Sequence, residues 1–271
     1  MGTATKLIPS LDLIERVVAA EAAYTLSRLQ VLERLPGNPV AVAYRQPDDG
    51  VVAFMARHLP VPSFNSVVGL RAGQEQHIEP LARWYRDNGV KPRFELVPGL
   101  SDAKLCRELA RLGFFQSEFH TAVICEPDLP LPDAGEIAIE TVTTSDVLDE
   151  FLDAHAAGWQ IPDPKGFKAN VRGWLGQPGW SLYLARVDGQ PAATGILYVH
   201  HGVGYCADAA TDPTFRGRGL QTAMLRRRIA DARAAGVDLV CSGAQYLSTS
   251  HRNMERVGFR VLFVRSVWTA V

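Results

Sequence analysis

The chain has 271 residues, 47% hydrophobic and 21% charged, with a formal net charge of −1 at pH 7. That balance belongs to a globular protein and gives no electrostatic drive toward nucleic acid or an anionic membrane. No apolar run reaches the length of a membrane span, and Met1 to Ser10 lack the basic-then-apolar order of a signal peptide, so a cytoplasmic protein is expected.

In chain order, Ile78 to Asn88 reads as a helix ending at Gly89-Val90, followed by a strand from Arg93 to Val97. Leu109-Ala110-Arg111-Leu112-Gly113-Phe114 reads as a helix stopped by glycine, then an aromatic that starts a strand, and Glu118 to Ile124 alternates. Prolines at 127, 130 and 132, among acidic residues, predict a linker from Glu126 to Asp133. Beyond it, Glu136 to Val142 reads as a strand and Ser145 to Ala157 as a helix capped by Thr144 or Ser145. A second helix is expected from Gly166 to Leu175, then strands at Trp180 to Val187, Ala192 to His200 and Val203 to Thr211. Asp188-Gly189 and His201-Gly202 supply the tight turns. A long helical pattern, Leu220 to Ala235, stops at Gly236; a short strand, Asp238 to Ser242, follows. Met254-Glu255-Arg256-Val257-Gly258-Phe259 then closes the second half as 109–114 closes the first.

This parallel between the halves argues for duplication. The boundaries expected are residues 1–126, a linker at 127–135, and residues 136–271. The copies differ at one place. Arg216-Gly217-Arg218-Gly219-Leu220-Gln221-Thr222 follows a strand and an Asp212-Pro213 turn, and it opens the long helix. Such a turn leaves backbone N–H groups unpaired at the positive end of a helix dipole, and its arginines add donors suited to phosphate. The physical reading is a pyrophosphate cradle. It is neither a P-loop nor a Gly-x-Gly-x-x-Gly fingerprint, since Thr222 stands where the third glycine would. The first copy has Gly69-Leu70-Arg71-Ala72-Gly73 instead, without the paired arginines, and is expected to keep the fold without the ligand site. Cys106, Cys125, Cys206 and Cys241 are far apart and are expected as reduced thiols rather than a disulfide or zinc site. No metal is expected.

The string strand, Asp-Pro turn, Arg-Gly-Arg-Gly-Leu, long helix, short strand, Ser-x-x-Asn-x-x-Arg-x-Gly-Phe resembles the GNAT superfamily of acetyl-CoA-dependent N-acetyltransferases. The resemblance is strong over Glu136 to Val271 and weak over Ser10 to Cys125. It implies an α+β fold of two tandem GNAT-like domains, each a mixed, mostly antiparallel bent sheet flanked by helices. It implies that the backbone of Arg216, Gly217, Arg218, Gly219, Leu220, Gln221 and Thr222 holds the CoA pyrophosphate, and that Ala209 and Thr211 meet the pantetheine arm. Ser250 and Asn253 would contact the far side of CoA. Gln221 departs from the small residue usual at its position, and two outcomes stay open: it crowds the pyrophosphate or donates to it. The tyrosine acid common in the family is replaced by Met254.

The resemblance implies acetyl transfer to a primary amine of a small molecule or peptide, by direct attack on the thioester. The candidate acid and base residues are Asp208, the one charged residue in a small apolar strand, Tyr246 just past the short strand, and His155 near the end of the first helix of the second half. Trp159 reads as a packing residue. A non-catalytic acyl-CoA-binding scaffold or sensor is the competing function, and a second copy of the chain is a permitted partner.

Overall fold

The computed structural model describes residues 7–59, 61–128, 137–162 and 164–270. The expected linker lies, from 129 onward, outside the described residues. The chain divides into two compact units. One is built on Val123–Arg260; the other on Ile8–Ala122 together with Val261–Val271.

The unit containing the first half begins with helix α1 (Leu11–Glu33), whose N-cap hydroxyl, on Ser10, accepts from the Leu13 N–H. A hairpin of strands β1 (Val42–Asp48) and β2 (Val51–Ala56) follows, then a short strand β3 (Val67–Val68). Helix α2 (Ile78–Asp87), strand β4 (Arg93–Leu96), helix α3 (Ala103–Arg111) and strand β5 (Phe114–Cys125) complete the first half. Asp102 caps α3 through the Lys104 and Leu105 N–H groups. The core gathers Val51, Met55, Tyr85, Phe94, Leu105 and Phe114. The Tyr85 hydroxyl is satisfied inside it by the Phe54 and Ser66 carbonyls.

The sheet of this unit runs β1-β2-β3-β4-β11-β5, and β11 (Arg260–Ala270) is the last strand of the chain. It pairs antiparallel with β4, from Ser266↔Leu96 to Thr269↔Arg93. Its Arg265 is buried and holds Glu21 of α1 and Glu95 of β4, the latter at 3.0 Å. The grouping departs from a cut at 126: Val261–Val271 belong with the first-half residues, and Val123–Cys125 with the second. The physical reason is pairing. A strand seated between two others has both backbone edges hydrogen-bonded, and that outweighs its place in the sequence.

The other unit runs strand β6 (Ala138–Thr141), helix α4 (Ser145–Gly158), helix α5 (Pro164–Arg172), then strands β7 (Trp180–Val187), β8 (Gln190–His200) and β9 (Val203–Thr211). Helix α6 (Leu220–Ala234), strand β10 (Leu239–Gln245) and helix α7 (Thr249–Val257) follow. The strand order is β6-β7-β8-β9-β10; β6 to β9 are antiparallel and β10 joins β9 in parallel. Thr144 caps α4 as expected. Asp188-Gly189 and His201-Gly202 all have positive φ, the paired left-handed turn that matches strand twist. No described helix is long and apolar enough to cross a membrane. The fold is α+β, with mixed, mostly antiparallel sheets flanked by helices.

Candidate functional site

The glycine-rich turn is built as an open cradle. Gly217 and Gly219 have φ of 79° and 77°, the left-handed region that costs a side chain strain, and neither has an atom near where a Cβ would stand. Asp212 braces the approach, accepting from the Thr214 N–H at 2.8 Å. Helix α6 then starts at Leu220, and its first internal bond beyond the turn is Ala223 N–H to the Gly219 carbonyl. Among the described residues, the N–H groups of Gly217 to Thr222 have no protein acceptor. They sit at a helix N-terminus beside an exposed Arg216.

The glycine turn at Gly69 to Gly73, in the first half, is closed. The Arg71 N–H goes to the Gln74 side chain, Ala72 N–H to the Leu100 carbonyl at 2.9 Å, and Gly73 N–H to Glu75. The Arg71 guanidinium is held by Glu15. Gly69 sits so close to its neighbour that a Cβ would come 1.8 Å from the Gly50 carbonyl oxygen. That turn retains its glycines for packing and has spent its donors on the protein.

Strand β9, which leads into the cradle, carries two irregularities. It pairs with β10 only from Leu239↔Val203 to Cys241↔Tyr205. Where that ladder stops, the Ser242 hydroxyl donates to the Cys206 carbonyl at 2.7 Å, replacing a backbone bond. On its other edge, Ile196↔Ala207 and Thr194↔Ala210 are partners, so Asp208 and Ala209 together face the single residue Gly195. This is a β-bulge, and Asp208 has φ of 34°. Past the bulge, Ala209, Ala210 and Thr211 border a cavity of about 580 Å³. Gly158 at the end of α4 lets that helix touch β9; a Cβ there would meet the Ala210 Cβ at 2.7 Å.

The structure brings together most of the expected binding residues. Ala209, Thr211, Arg216, Gly217, Gly219, Leu220, Gln221, Thr222, Ser250 and Asn253 all border the cavity. Arg218 does not; its guanidinium stands 5.5 Å from the centre of the Phe215 ring. The Gln221 side chain is engaged within the protein. Its amide donates to the Ser250 hydroxyl at 2.8 Å and accepts from Asn253 at 2.6 Å, tying the first turn of α6 to α7. Arg256 in turn donates to Asn253.

The three acid–base candidates are not among the cavity's lining residues. Asp208 is half-buried at the bulge, one residue from Ala209. Tyr246 is 51% exposed and packs on His251. His155 is buried, stacked between Phe151 and Phe167, with Nδ1 2.7 Å from the Thr194 hydroxyl. Thr194 itself borders the cavity. Trp159 does too, half-exposed at the α4 terminus, where sequence placed it in packing. Thr194, Phe215 and Met224 were not foreseen; their signal was only proximity to the bulge and the cradle. Cys206 and Cys125 are buried, and burial pushes both thiols up, so neither is a ready nucleophile.

The family model described as "Acetyltransferase (GNAT) domain" matches residues 130–247, which include β9, the bulge and the cradle. No curated protein matches the chain. Among solved structures, a GCN5-related N-acetyltransferase from Kribbella flavida is 17% identical, with a TM-score of 0.65 over 92% of this chain and 95% of that one. A GCN5-related N-acetyltransferase from Sphaerobacter thermophilus is also 17% identical, with a TM-score of 0.61 over 75% and 71%. A tandem GNAT protein from the clavulanic acid biosynthesis pathway is 15% identical, with a TM-score of 0.53 over 70% and 67%. At such identities these likenesses speak for the fold, and the family match for the domain. Residues 130–247 therefore match the GNAT acetyltransferase domain, and the chain shares its fold with these structures.

Proposed function

We propose that this chain transfers the acetyl group of acetyl-CoA to a primary amine of a small molecule or peptide, by direct attack of the amine on the thioester. The observation that carries this is the run of unpaired N–H groups from Gly217 to Thr222 at the start of α6, beside Arg216. That arrangement suits an anion such as a pyrophosphate. The interrupted β9–β10 ladder supports the reading, since an extended amide-bearing arm can pair with the strand edge left beyond Tyr205.

In this reading the cradle anchors the CoA end and β9 aligns the arm, which supplies rate by positioning. The Ala209 N–H, at the bulge, is the donor for negative charge developing on the thioester oxygen. The amine nitrogen bonds to the acetyl carbon, the carbon–sulfur bond breaks, the amine gives up a proton and the thiolate takes one. Asp208 receives the amine proton through water, and Tyr246 supplies the thiolate's proton. His155 acts behind Thr194, orienting its hydroxyl toward the acceptor.

Calorimetric titration of acetyl-CoA into the protein tests the site, with Gly219→Glu in parallel. Micromolar binding to the native chain and loss of at least 100-fold in the variant are expected, because the new carboxylate strains a left-handed residue and repels phosphate. Equal binding by both would remove the cradle from the reading. A panel of primary amines with thiol release as the readout then tests turnover.

A further inference from the structure

Among the described residues, Arg228 of α6 is the largest fully buried side chain, at 1% exposure. Burying a guanidinium is costly unless its donors are satisfied. Here every recorded bond goes to a backbone carbonyl: Nε to Met224 at 3.2 Å, and Nη1 to both Ile196 and Ala207 at 3.0 Å. Ile196 and Ala207 are partners across β8 and β9, the last pair before the bulge. The two residues that follow Ala207 are Asp208, with its positive φ, and Ala209, which borders the cavity. Room for the guanidinium comes from Gly195, the residue opposite the bulge. A Cβ there would lie 3.3 Å from the Arg228 Cζ and 2.7 Å from the Met224 Cγ.

Gly195, Arg228 and the bulge thus form one device. In a bulged strand the extra residue is left unpaired and the ladder is locally disrupted, so its carbonyls are not all held by regular pairing. The planar fork of arginine reaches both strands at once, which an ammonium on a flexible stem does less well.

We infer that Arg228 is a positioning residue for acyl transfer: by clamping the Ile196 and Ala207 carbonyls it holds the β9 bulge so that the Ala209 N–H meets the developing oxyanion. This rests on the acetyl-transfer reading above. Arg228 does not itself line the cavity and bonds only the backbone of the Met224 that does, so its loss acts mainly on the chemical step.

The experiment compares the native chain with Arg228→Met, Arg228→Lys and Gly195→Ala. Acetyl-CoA affinity is read by calorimetry, kcat with one accepted amine, and the Ala209 amide by NMR after alanine-selective labelling. In Arg228→Met, kcat is expected to fall about 100-fold, the scale of losing one oxyanion donor, with Kd for acetyl-CoA within about threefold and the Ala209 amide signal displaced. Arg228→Lys and Gly195→Ala are expected to lose about tenfold in kcat, again with Kd held. Native kcat in Arg228→Met overturns the inference. If Arg228→Met does not fold, Arg228→Lys decides, and native kcat there overturns it equally. A native chain that turns over no amine sinks the acetyl-transfer reading separately. The amide signal still decides the structural half, because an undisplaced Ala209 signal in Arg228→Met means the bulge does not depend on the arginine.

Discussion

At Gln221 and Gly219 one atom more or less changes what the first turn of α6 can do. Gln221 spends its side-chain amide on Ser250 and Asn253, so the cradle and the start of α7 move as one piece. Gln221→Ala removes two partly buried hydrogen bonds, each contributing about 1 kcal/mol. The expected result is a melting temperature lower by a few degrees and acetyl-CoA binding weakened about tenfold; unchanged affinity would mean α7 is placed by other contacts. Gly219→Ala tests backbone conformation alone, since space for the methyl exists. Holding alanine at φ 77° costs about 1 kcal/mol, so a modest loss of stability is expected from thermal melts. Cys206→Ala is expected to keep turnover within threefold of native, because the thiol is buried and its proton tightly held. A loss of activity above tenfold, with the fold intact, would bring back an acetyl-cysteine step.

Among the elements, β11 is the one whose place is set by partners rather than by neighbours in sequence. It lies between β4 and β5, with Val267 fully buried and Arg265 tied to α1 and β4. Truncation after Gly258 removes an interior strand, leaves Glu21 without Arg265 and leaves Glu95 with Arg93 alone. The first-half unit is then expected to lose its cooperative unfolding transition, seen by circular dichroism. A fragment starting at 137 carries β11 with two bare edges, and size-exclusion chromatography is expected to show it aggregating. Helical boundaries depend on weaker signals. Helix α5 begins at Pro164, two residues before the expected Gly166, since proline suits the first turn of a helix.

For the molecule as a whole, pH acts through the buried charges of the first-half unit. Burial, then the Arg265 and Arg93 guanidiniums, push His120 down from 6.5 to about 4. A folded value below the unfolded one favours the neutral ring. Its contribution is complete above pH 6.5 and is lost as pH falls toward 4. Glu95 works in the same sense lower down: burial opposes its charge, but Arg265 and Arg93 prevail and hold it below its ordinary range. Glu21 runs the other way, raised by burial against the pull of Arg265, so acid relieves part of its cost. The expected outcome is a melting temperature that drops between pH 6.5 and 4, with a shallower drop in His120→Asn. Identical slopes would assign the acid sensitivity to other groups.

Much of this was legible in the chain. Strands β7 and β9 fall on the residues that alternation and turn signals marked, and α6 starts where Gly219 ends its turn, because those patterns are local and each has a short-range cause. The cradle was legible for the same reason, since glycines with left-handed φ and the helix start they precede lie within seven residues. Helix α1 and the β1–β2 hairpin had no such signature. Nor could the chain order show that Val261–Val271 group with Ile8–Ala122, that Gln221 turns to α7, or that Arg228 reaches across 21 and 32 residues to two carbonyls. The sequence by itself determined the fold class and the conformation of the glycine-rich turn before α6, both written in contiguous residues. The tertiary structure alone decided strand membership, the bulge and its buried clamp, because pairing and burial join residues distant in the chain, and no local pattern records which of the available partners wins.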